Sequence, residues 1–207
     1  MFPLFAESFL AYKAYIALLF VGAYVLGSVP FGLILTKLAG LGDIRNIGSG
    51  NIGATNVLRT GNKQLAFLTL FLDGGKGGLA VYIGTLLTQN EFLAMLMGIC
   101  AVVGHIYPVF LKFKGGKGVA TAIGFYMMLS WELGIMVILM WLIIAFVLRK
   151  SSAAAIAAIG AAPFFAWFQD MPQYTFQLMV LSTLIIYKHK ANIERLFKGT
   201  EPNIGKK

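Results

Sequence analysis

Long apolar runs alternate with short polar connectors along almost the whole chain. A helix needs about 20 apolar residues to cross a hydrocarbon layer of about 30 Å, and most of the runs approach or exceed that length. Residues 119–129 are too few to span comfortably, which predicts a short or tilted helix there. The pattern predicts an all-α polytopic membrane protein with about seven transmembrane helices, some short or broken, at residues 14–38, 65–87, 92–111, 119–129, 133–148, 151–167 and 174–187.

The composition excludes a soluble domain of this size. Of the 207 residues, 58% are hydrophobic and 12% are charged, and the mean hydropathy is +0.80, which is typical of an integral membrane protein. The formal net charge of +9 is carried by the connectors, so we predict no nucleic-acid partner. Cys100 stands alone in an apolar run and predicts neither a disulfide nor a metal site. We interpret residues 1–207 as one membrane domain.

Charge asymmetry predicts the orientation of the chain in the membrane. With seven spans, the basic connectors at residues 43–62, 112–117 and 149–152 fall on the same side as the basic C-terminal tail. Basic loops stay in the cytoplasm, so we expect the N-terminus outside and the C-terminus in the cytoplasm. If the chain has five spans instead of seven, the predicted orientation of both termini is unchanged. Every polar, glycine-rich connector then faces one compartment.

The connector at residues 43–59 is the longest polar interruption and has the composition of an anion site. Its glycines allow backbone N–H groups to turn inward, while hydroxyl, amide and guanidinium groups suit the oxygens of a phosphate. The alternative is an ordinary turn whose arginines only mark the cytoplasmic side. The candidate ligands in this connector are Arg45, Ser49, Asn51, Asn56 and Arg59.

Two later stretches repeat this chemistry. Residues 113–121 form a glycine-rich turn that carries Lys117 and opens an apolar helix, so free N–H groups and the positive end of the helix dipole face an anion. The glycine spacing is not that of a Walker A loop, which indicates phosphate binding without a nucleotide. In the tail, His189, Asn192 and Arg195 share one face of a helix. The alternative for the tail is a solvated amphipathic helix with snorkelling bases.

Two ionisable residues fall inside an apolar run. Asp73 and Lys76 are three residues apart and share a helix face. Charges within a membrane are costly, so the pair predicts a functional site, with a self-neutralising structural ion pair as the alternative. Pro30 removes a backbone donor from the first span and predicts a loosened helix there.

Short motifs follow one another along the chain in a fixed order: SVP at 28–30, DIR at 43–45, GSGN at 48–51, TN at 55–56, GHIYP at 104–108, FKGGKGVAT at 113–121 and HKANIERL at 189–196. This ordered set resembles the bacterial acyl-phosphate:glycerol-3-phosphate acyltransferases, the PlsY family. The resemblance covers nearly the whole chain and implies a seven-helix inner-membrane enzyme that moves a fatty acyl group from acyl phosphate to the 1-hydroxyl of sn-glycerol 3-phosphate. The implied products are lysophosphatidic acid and phosphate.

The resemblance also implies site residues and partners. It places the catalytic groups on Ser49, Lys117, His189 and Asn192. It implies membrane lipid as the surroundings, and functional coupling to a soluble enzyme that forms acyl phosphate. The further substrate-binding or phosphate-binding positions that it implies are Arg45, Asn51, Asn56, Arg59, Lys76, Gly115, Gly116 and Ser152.

Acyl phosphate is already activated, which predicts direct attack by the glycerol hydroxyl. No serine lies in a nucleophile-elbow setting, and no HxxxxD pair is present. We expect two phosphates clamped by Lys117, Arg59, Ser49, Asn192 and the amides of residues 115–116. Either His189 or a substrate phosphate accepts the proton. We expect no cofactor and no metal. The competing hypothesis is a phosphate or organic-anion transporter.

Overall fold

The structure is a computed structural model that describes residues 2–204, with side chains from residue 10 onward. Within that range the secondary structure is helical, and no strand occurs. Three single turns of 3-10 helix lie in the connectors. The helices are α1 (Phe2–Ser28), α2 (Phe31–Leu38), α3 (Ala54–Val57), α4 (Lys63–Thr88), α5 (Glu91–Ile106), α6 (Val119–Leu129), α7 (Trp131–Leu148), α8 (Ser151–Phe168), α9 (Pro172–Tyr187) and α10 (Lys190–Phe197).

The apolar runs form the expected helices. Five helical segments are long and apolar enough to cross a membrane, and the apolar helix α6 is shorter. α9 has 16 residues and ends near the predicted boundary. The protein is therefore an all-α integral membrane protein, while the count of seven spans and the orientation of the termini remain predictions. The five long segments are Leu10–Leu38, Lys63–Thr88, Glu91–Leu111, Trp131–Leu148 and Ser151–Phe168.

The first helix differs from the predicted span, because it already begins at Phe2 and the residues ahead of the predicted first span are helical. α8 continues through Pro163 to Phe168, one residue beyond the predicted end. Pro163 is buried in the middle of this helix, where packing on both sides compensates for the backbone hydrogen bond that proline removes.

Small residues set how closely the helices approach. On α8, Ala154, Ala158, Ala162 and Ala166 are fully buried, and the last three belong to the hydrophobic core. Small residues of this kind let neighbouring helices approach closely. Where α1 crosses α5, a Cβ atom on Gly27 would lie 2.0 Å from the carbonyl oxygen of Ala101, so glycine is required for this crossing.

The first span breaks at Pro30, as predicted. α1 ends at Ser28 and α2 resumes at Phe31. Ser28 is fully buried, and its hydroxyl accepts a hydrogen bond from the Val109 amide at 3.4 Å. The break therefore lies beside the start of the connector between α5 and α6. The polar connectors meet at this end of the helix bundle, where they enclose a cavity.

Candidate functional site

A cavity of about 650 Å³ opens where the connectors meet. At one end the cavity has a polar wall, which is built by the connector before α4, the starts of α6 and α8, α10 and the C-terminal tail. The other end is apolar and lies between α4, α6 and α7. The polar wall contains Ser49, Asn51, Thr55, Asn56, Arg59, Lys117, Ser151, Ser152, His189, Asn192, Arg195, Glu201 and Asn203.

Asn56 organises the first connector. Its side chain is 2% exposed, and its Nδ2 group donates to the carbonyl oxygens of Ile44, Ile47 and Asn51 at 2.8 to 3.0 Å. Its Oδ1 atom accepts from the Ser49 amide at 3.1 Å and lies 3.3 Å from the Ser49 hydroxyl. The loop therefore closes around the side-chain amide of Asn56, and this holds Ser49 on the cavity wall.

A glycine makes room for the arginine of this connector. Gly48 has a φ of +54°, which favours glycine. A Cβ atom at this position would lie 2.4 Å from Nη1 of Arg59. The half-buried Arg59 guanidinium thus packs on the bare backbone of the turn, and it forms no ion pair with any residue in the described range.

Lys117 and Asn192 join two distant connectors across the cavity. The Lys117 ammonium donates to Oδ1 of Asn192 at 2.6 Å, and Nδ2 of Asn192 donates to Oε1 of Glu201 at 2.7 Å. These two bonds fix the orientation of the Asn192 amide. Burial lowers the pKa of Lys117 to about 8; Glu201 opposes that shift and Arg195 and Arg59 add to it. Lys117 is therefore still mostly protonated at neutral pH.

Glu201 is a central residue of the polar wall that sequence reasoning missed. Its carboxylate accepts from the Ser152 hydroxyl at 2.6 Å and from Nε of Arg195 at 2.7 Å, in addition to Asn192. The Lys150 ammonium donates to its carbonyl oxygen. Burial acts to raise the pKa of Glu201, but the three side-chain hydrogen bonds outweigh it and lower the pKa. The tail beyond Gly199 therefore completes the cavity, although it carries no recognisable motif.

His189 is held as a neutral side chain. It is 2% exposed, and its Nδ1 atom lies 2.8 Å from the carbonyl oxygen of Ile185. Because that oxygen only accepts hydrogen bonds, Nδ1 carries the proton and Nε2 keeps a free lone pair. Burial lowers the pKa of His189 to about 4, against the raising effect of the Ile185 bond and with a further lowering from Lys117. The buried position excludes the alternative of a fully solvated tail for His189 and Asn192.

Three helix N-termini contribute to the polar wall. α6, α8 and α10 each begin beside the cavity, and none of the three has a side-chain cap. The first N–H groups of a helix have no partner within the helix, and the helix dipole adds positive potential there. Together with Arg59, Lys117 and Arg195, they give the polar end the character of an anion site.

Four predicted ligands do not line the cavity. The Arg45 guanidinium pairs with Asp43 at 2.5 Å, and this pairing holds the pKa of Asp43 well below its usual range. The Gly115 and Gly116 amides, which the sequence assigned to a phosphate clamp, donate instead to the carbonyls of the preceding turn. The Lys76 ammonium lies 2.9 Å from Asp73. Direct phosphate contacts by Arg45, Lys76, Gly115 and Gly116 are therefore dropped from the site.

Asp73 and His105 border the cavity from behind the glycine-rich turn. Nδ1 of His105 lies 3.6 Å from Oδ1 of Asp73, and both side chains are almost fully buried. In residues 2–204 no three or more His, Cys, Asp or Glu side chains come together as a metal site. The donors of the polar wall are ammonium, guanidinium, amide and hydroxyl groups, which bind phosphate oxygens.

The comparisons with known proteins agree with this geometry. A family model described as Glycerol-3-phosphate acyltransferase matches residues 17–199. The chain is 55% identical over 186 residues to the glycerol-3-phosphate acyltransferase of Paramagnetospirillum magneticum, covering 90% of this chain and 92% of the relative. It is 52% identical over 184 residues to that of a Jannaschia species, covering 89% and 90%.

Two solved structures share the fold. The crystal structure of PlsY (YgiH), an integral membrane glycerol 3-phosphate acyltransferase, in its glycerol 3-phosphate form matches with a TM-score of 0.86 and 40% identity, covering 92% of this chain and 96% of that chain. The lysophosphatidic acid form matches with a TM-score of 0.84 and 39% identity, covering 91% and 95%. Fold, site and sequence together show that the chain belongs to the glycerol-3-phosphate acyltransferase family.

Proposed function

We propose that this integral membrane acyltransferase uses acyl phosphate as its donor. It transfers the fatty acyl group to the 1-hydroxyl of sn-glycerol 3-phosphate and releases 1-acyl-sn-glycerol 3-phosphate and inorganic phosphate. The observation that carries the proposal is a single cavity that is cationic at one end and apolar at the other. A related structure in a glycerol 3-phosphate form and another in a lysophosphatidic acid form support it.

The apolar end of the cavity suits an acyl chain. Leu70, Ile123, Met127 and Trp141 line it, and it extends from the start of α6 toward Met128 near the end of that helix. Nine residues of helix advance about 13 Å. An extended alkyl chain built from bonds of about 1.5 Å advances about 1.3 Å per carbon, so about ten carbons fit along α6. The carbonyl group then lies at the polar end.

The polar end suits the two phosphate groups of the reaction. Lys117, Arg59 and Arg195 provide three cations there, and Glu201 offsets one of them. We assign Ser49, Asn51, Ser152, His189 and Asn192 to hydrogen bonds with the substrates. Holding donor and acceptor side by side replaces their diffusional encounter, and fixed cations stabilise the charge that develops on the departing phosphate.

The reaction proceeds by direct attack on the acyl carbon. The oxygen of the glycerol 1-hydroxyl forms a bond to that carbon, and the bond from the carbon to the phosphate oxygen breaks. With a pKa near 4, His189 is a weak proton acceptor at neutral pH, whereas the second ionisation of a phosphate monoester lies near 6. We therefore assign the hydroxyl proton to a substrate phosphate and give His189 the role of orienting the hydroxyl through its Nε2 lone pair.

The experiment that tests the proposal measures transfer by purified protein in lipid. Hexadecanoyl phosphate and glycerol 3-phosphate are supplied, and lysophosphatidic acid and phosphate are both measured. We expect phosphate release to require glycerol 3-phosphate. Product formed from acyl-CoA or acyl carrier protein, but not from acyl phosphate, would overturn the donor assignment. Movement of phosphate across vesicles without acyl transfer would favour the transporter.

Lys117→Met and Lys114→Met form a matched pair for this assay. Both lysines lie in the same turn, but Lys114 is exposed and does not line the cavity. Since Lys117 is the cation that we place on the departing phosphate, we expect Lys117→Met to lower kcat/KM by about hundredfold or more. Lys114→Met should retain wild-type transfer. Equal activity of the two variants would remove Lys117 from the mechanism.

The membrane orientation also belongs to the proposal. We place the cavity at the cytoplasmic face of the bacterial inner membrane, where a soluble enzyme that forms acyl phosphate has access to it. A cysteine introduced at the exposed position Lys114 tests this placement, after Cys100 is replaced by alanine. A membrane-impermeant thiol reagent should label it only in inside-out vesicles; labelling in intact spheroplasts would reverse the orientation.

A further inference from the structure

A buried ionic cluster borders the cavity and has no role in the reaction described above. It consists of Asp73 and Lys76 of α4 and His105 of α5, which are 2%, 3% and 4% exposed. The Lys76 ammonium lies 2.9 Å from Oδ1 of Asp73, and Nδ1 of His105 lies 3.6 Å from the same oxygen. A cluster of charges at this depth is costly, so its presence calls for an explanation.

Lys76 connects the cluster to the break in the first span. Its ammonium donates to the carbonyl oxygen of Val29 at 2.8 Å, and it lies 5.6 Å from the centre of the Phe31 ring. Val29 separates α1 from α2, where Pro30 interrupts the helix. The lysine therefore holds the broken end of one helix against the middle of another.

His105 connects the cluster to the glycine-rich turn on the opposite side. The Gly116 amide donates to the His105 carbonyl at 3.1 Å, and the Gly115 amide donates to the Ile106 carbonyl at 3.2 Å. A Cβ atom on Gly116 would lie 2.1 Å from Nε2 of His105, so the ring packs directly on the bare backbone of the turn. Lys117 follows immediately in the chain.

The cluster is poorly explained by stability alone. Nδ1 of His105 has no hydrogen-bond partner in the described structure, and its nearest charged neighbour, Oδ1 of Asp73, lies 3.6 Å away. Buried polar groups without such partners are unfavourable, and apolar residues of similar volume often stabilise a core equally well or better. The contacts that the cluster does make lead to the helix break and to the turn that carries Lys117.

We infer that Asp73, Lys76 and His105 are positioning residues that fix the glycine-rich turn and thereby hold the Lys117 ammonium against Asn192. The inference rests on the proposed function, because Lys117 is the group whose placement matters. None of the three side chains is assigned to touch the substrate. A displacement of about 1 Å in a catalytic group costs about hundredfold in rate, so loss of the cluster should appear in kcat.

The test separates positioning from stability by removing both charges together. Lys76→Met or Asp73→Asn alone leaves one buried charge uncompensated and should lower the thermal unfolding midpoint in detergent. The double variant Asp73→Asn/Lys76→Met has no uncompensated charge, so its midpoint should return to the wild-type value. We expect kcat of the double variant to stay about hundredfold below that of the wild type, with little change in KM for glycerol 3-phosphate.

A matched control removes a polar contact between helices away from the cavity. The Tyr174 hydroxyl donates to Glu91 at 2.9 Å between α9 and α5. The double variant Glu91→Gln/Tyr174→Phe should leave kcat unchanged. If Asp73→Asn/Lys76→Met transfers acyl groups at the wild-type rate, the pair is only structural and the inference fails. If the wild type itself transfers nothing from acyl phosphate, the proposed function fails instead.

A second set of variants keeps the inference testable if the charge variants do not fold. Gly116→Ala places a methyl group against the His105 ring and should lower kcat strongly. In a His105→Ala background that methyl group has space, so the further loss caused by Gly116→Ala should be much smaller. If Gly116→Ala lowers kcat by the same factor in both backgrounds, the ring does not position the turn and the inference is overturned.

Discussion

The first connector and the C-terminal tail both build the polar wall, but they are stabilised in different ways. In the connector, Asn56 closes the loop with hydrogen bonds to residues 5 to 12 positions away. In the tail, Glu201 has two local partners, Arg195 and Asn192, 6 and 9 positions away. It also has two distant partners, Ser152 at 49 positions and Lys150 at 51 positions. The connector is a local structure, whereas the tail is ordered by the helix bundle on which it lies.

This difference predicts how each region responds when one side chain is removed. A local loop loses its conformation when its central side chain is removed, because no other donor then forms hydrogen bonds with its carbonyl groups. A tail held by several partners loses one contact at a time and keeps the others. We therefore expect the larger defect from the connector and a graded defect from the tail.

The largest expected effect comes from Asn56→Ala. The substitution leaves three carbonyl oxygens and the Ser49 amide without their partner, which should lower the free energy of unfolding by about 2 kcal/mol. Because Ser49 then moves from the cavity wall, acyl transfer should fall by about hundredfold. Thermal unfolding and a kcat/KM measurement check the two effects.

Arg45→Ala is the control from the same connector. Arg45 is exposed, pairs with Asp43 and does not line the cavity, so its removal should leave both stability and transfer near wild-type values. A loss of transfer as large as that of Asn56→Ala would return Arg45 to the list of substrate-binding residues.

Glu201→Gln should have an intermediate effect. The amide keeps the shape of the carboxylate but weakens the charge-assisted bonds to Arg195, Asn192 and Ser152. A loss of about 1.4 kcal/mol corresponds to about a tenfold fall in kcat/KM. Glu194→Gln is the matched control, since Glu194 is exposed on α10, the helix that precedes the tail. An unchanged kcat/KM for Glu201→Gln would show that the tail covers the cavity without contributing to catalysis.

The smallest effect is a shift in pH dependence. The kcat/KM of the wild type should fall as the pH rises through about 8, because Lys117 loses the proton that gives it its charge. Glu201 raises the pKa of Lys117, so Glu201→Gln should move this fall to lower pH. Asn56→Ala should leave its midpoint unchanged. Equal shifts in both variants would show that the tail has no particular electrostatic link to Lys117.

The sequence predicted most of the fold because the membrane imposes a simple rule. Each apolar run must form a helix, since lipid satisfies no backbone polar group. α6 begins at Val119 and ends at Leu129, as the pattern predicted. The predicted end of α8 at residue 167 lies one residue before the observed end at Phe168. The start of the first helix at Phe2 was not predicted, because a helix can extend beyond the apolar run that crosses the membrane.

The site was predicted as far as side-chain chemistry alone allows. Lys117 and Asn192 meet across the cavity as the motifs implied. The Gly115 and Gly116 amides were assigned wrongly because a turn can use its N–H groups internally, which composition does not reveal. Glu201 was missed because its partners come from two separate segments, the start of α8 and α10. An acidic residue in a basic tail was the one available signal.

The apolar end of the cavity has exposed walls at Leu79, Met128 and Leu142. A chain longer than about ten carbons therefore projects past α6 into the surrounding bilayer. Under the proposed reaction, the hydrocarbon tails of donor and product slide sideways between the leaflet and the protein and never cross water. The enzyme then releases its lipid product directly into the leaflet, with no transfer through the aqueous phase.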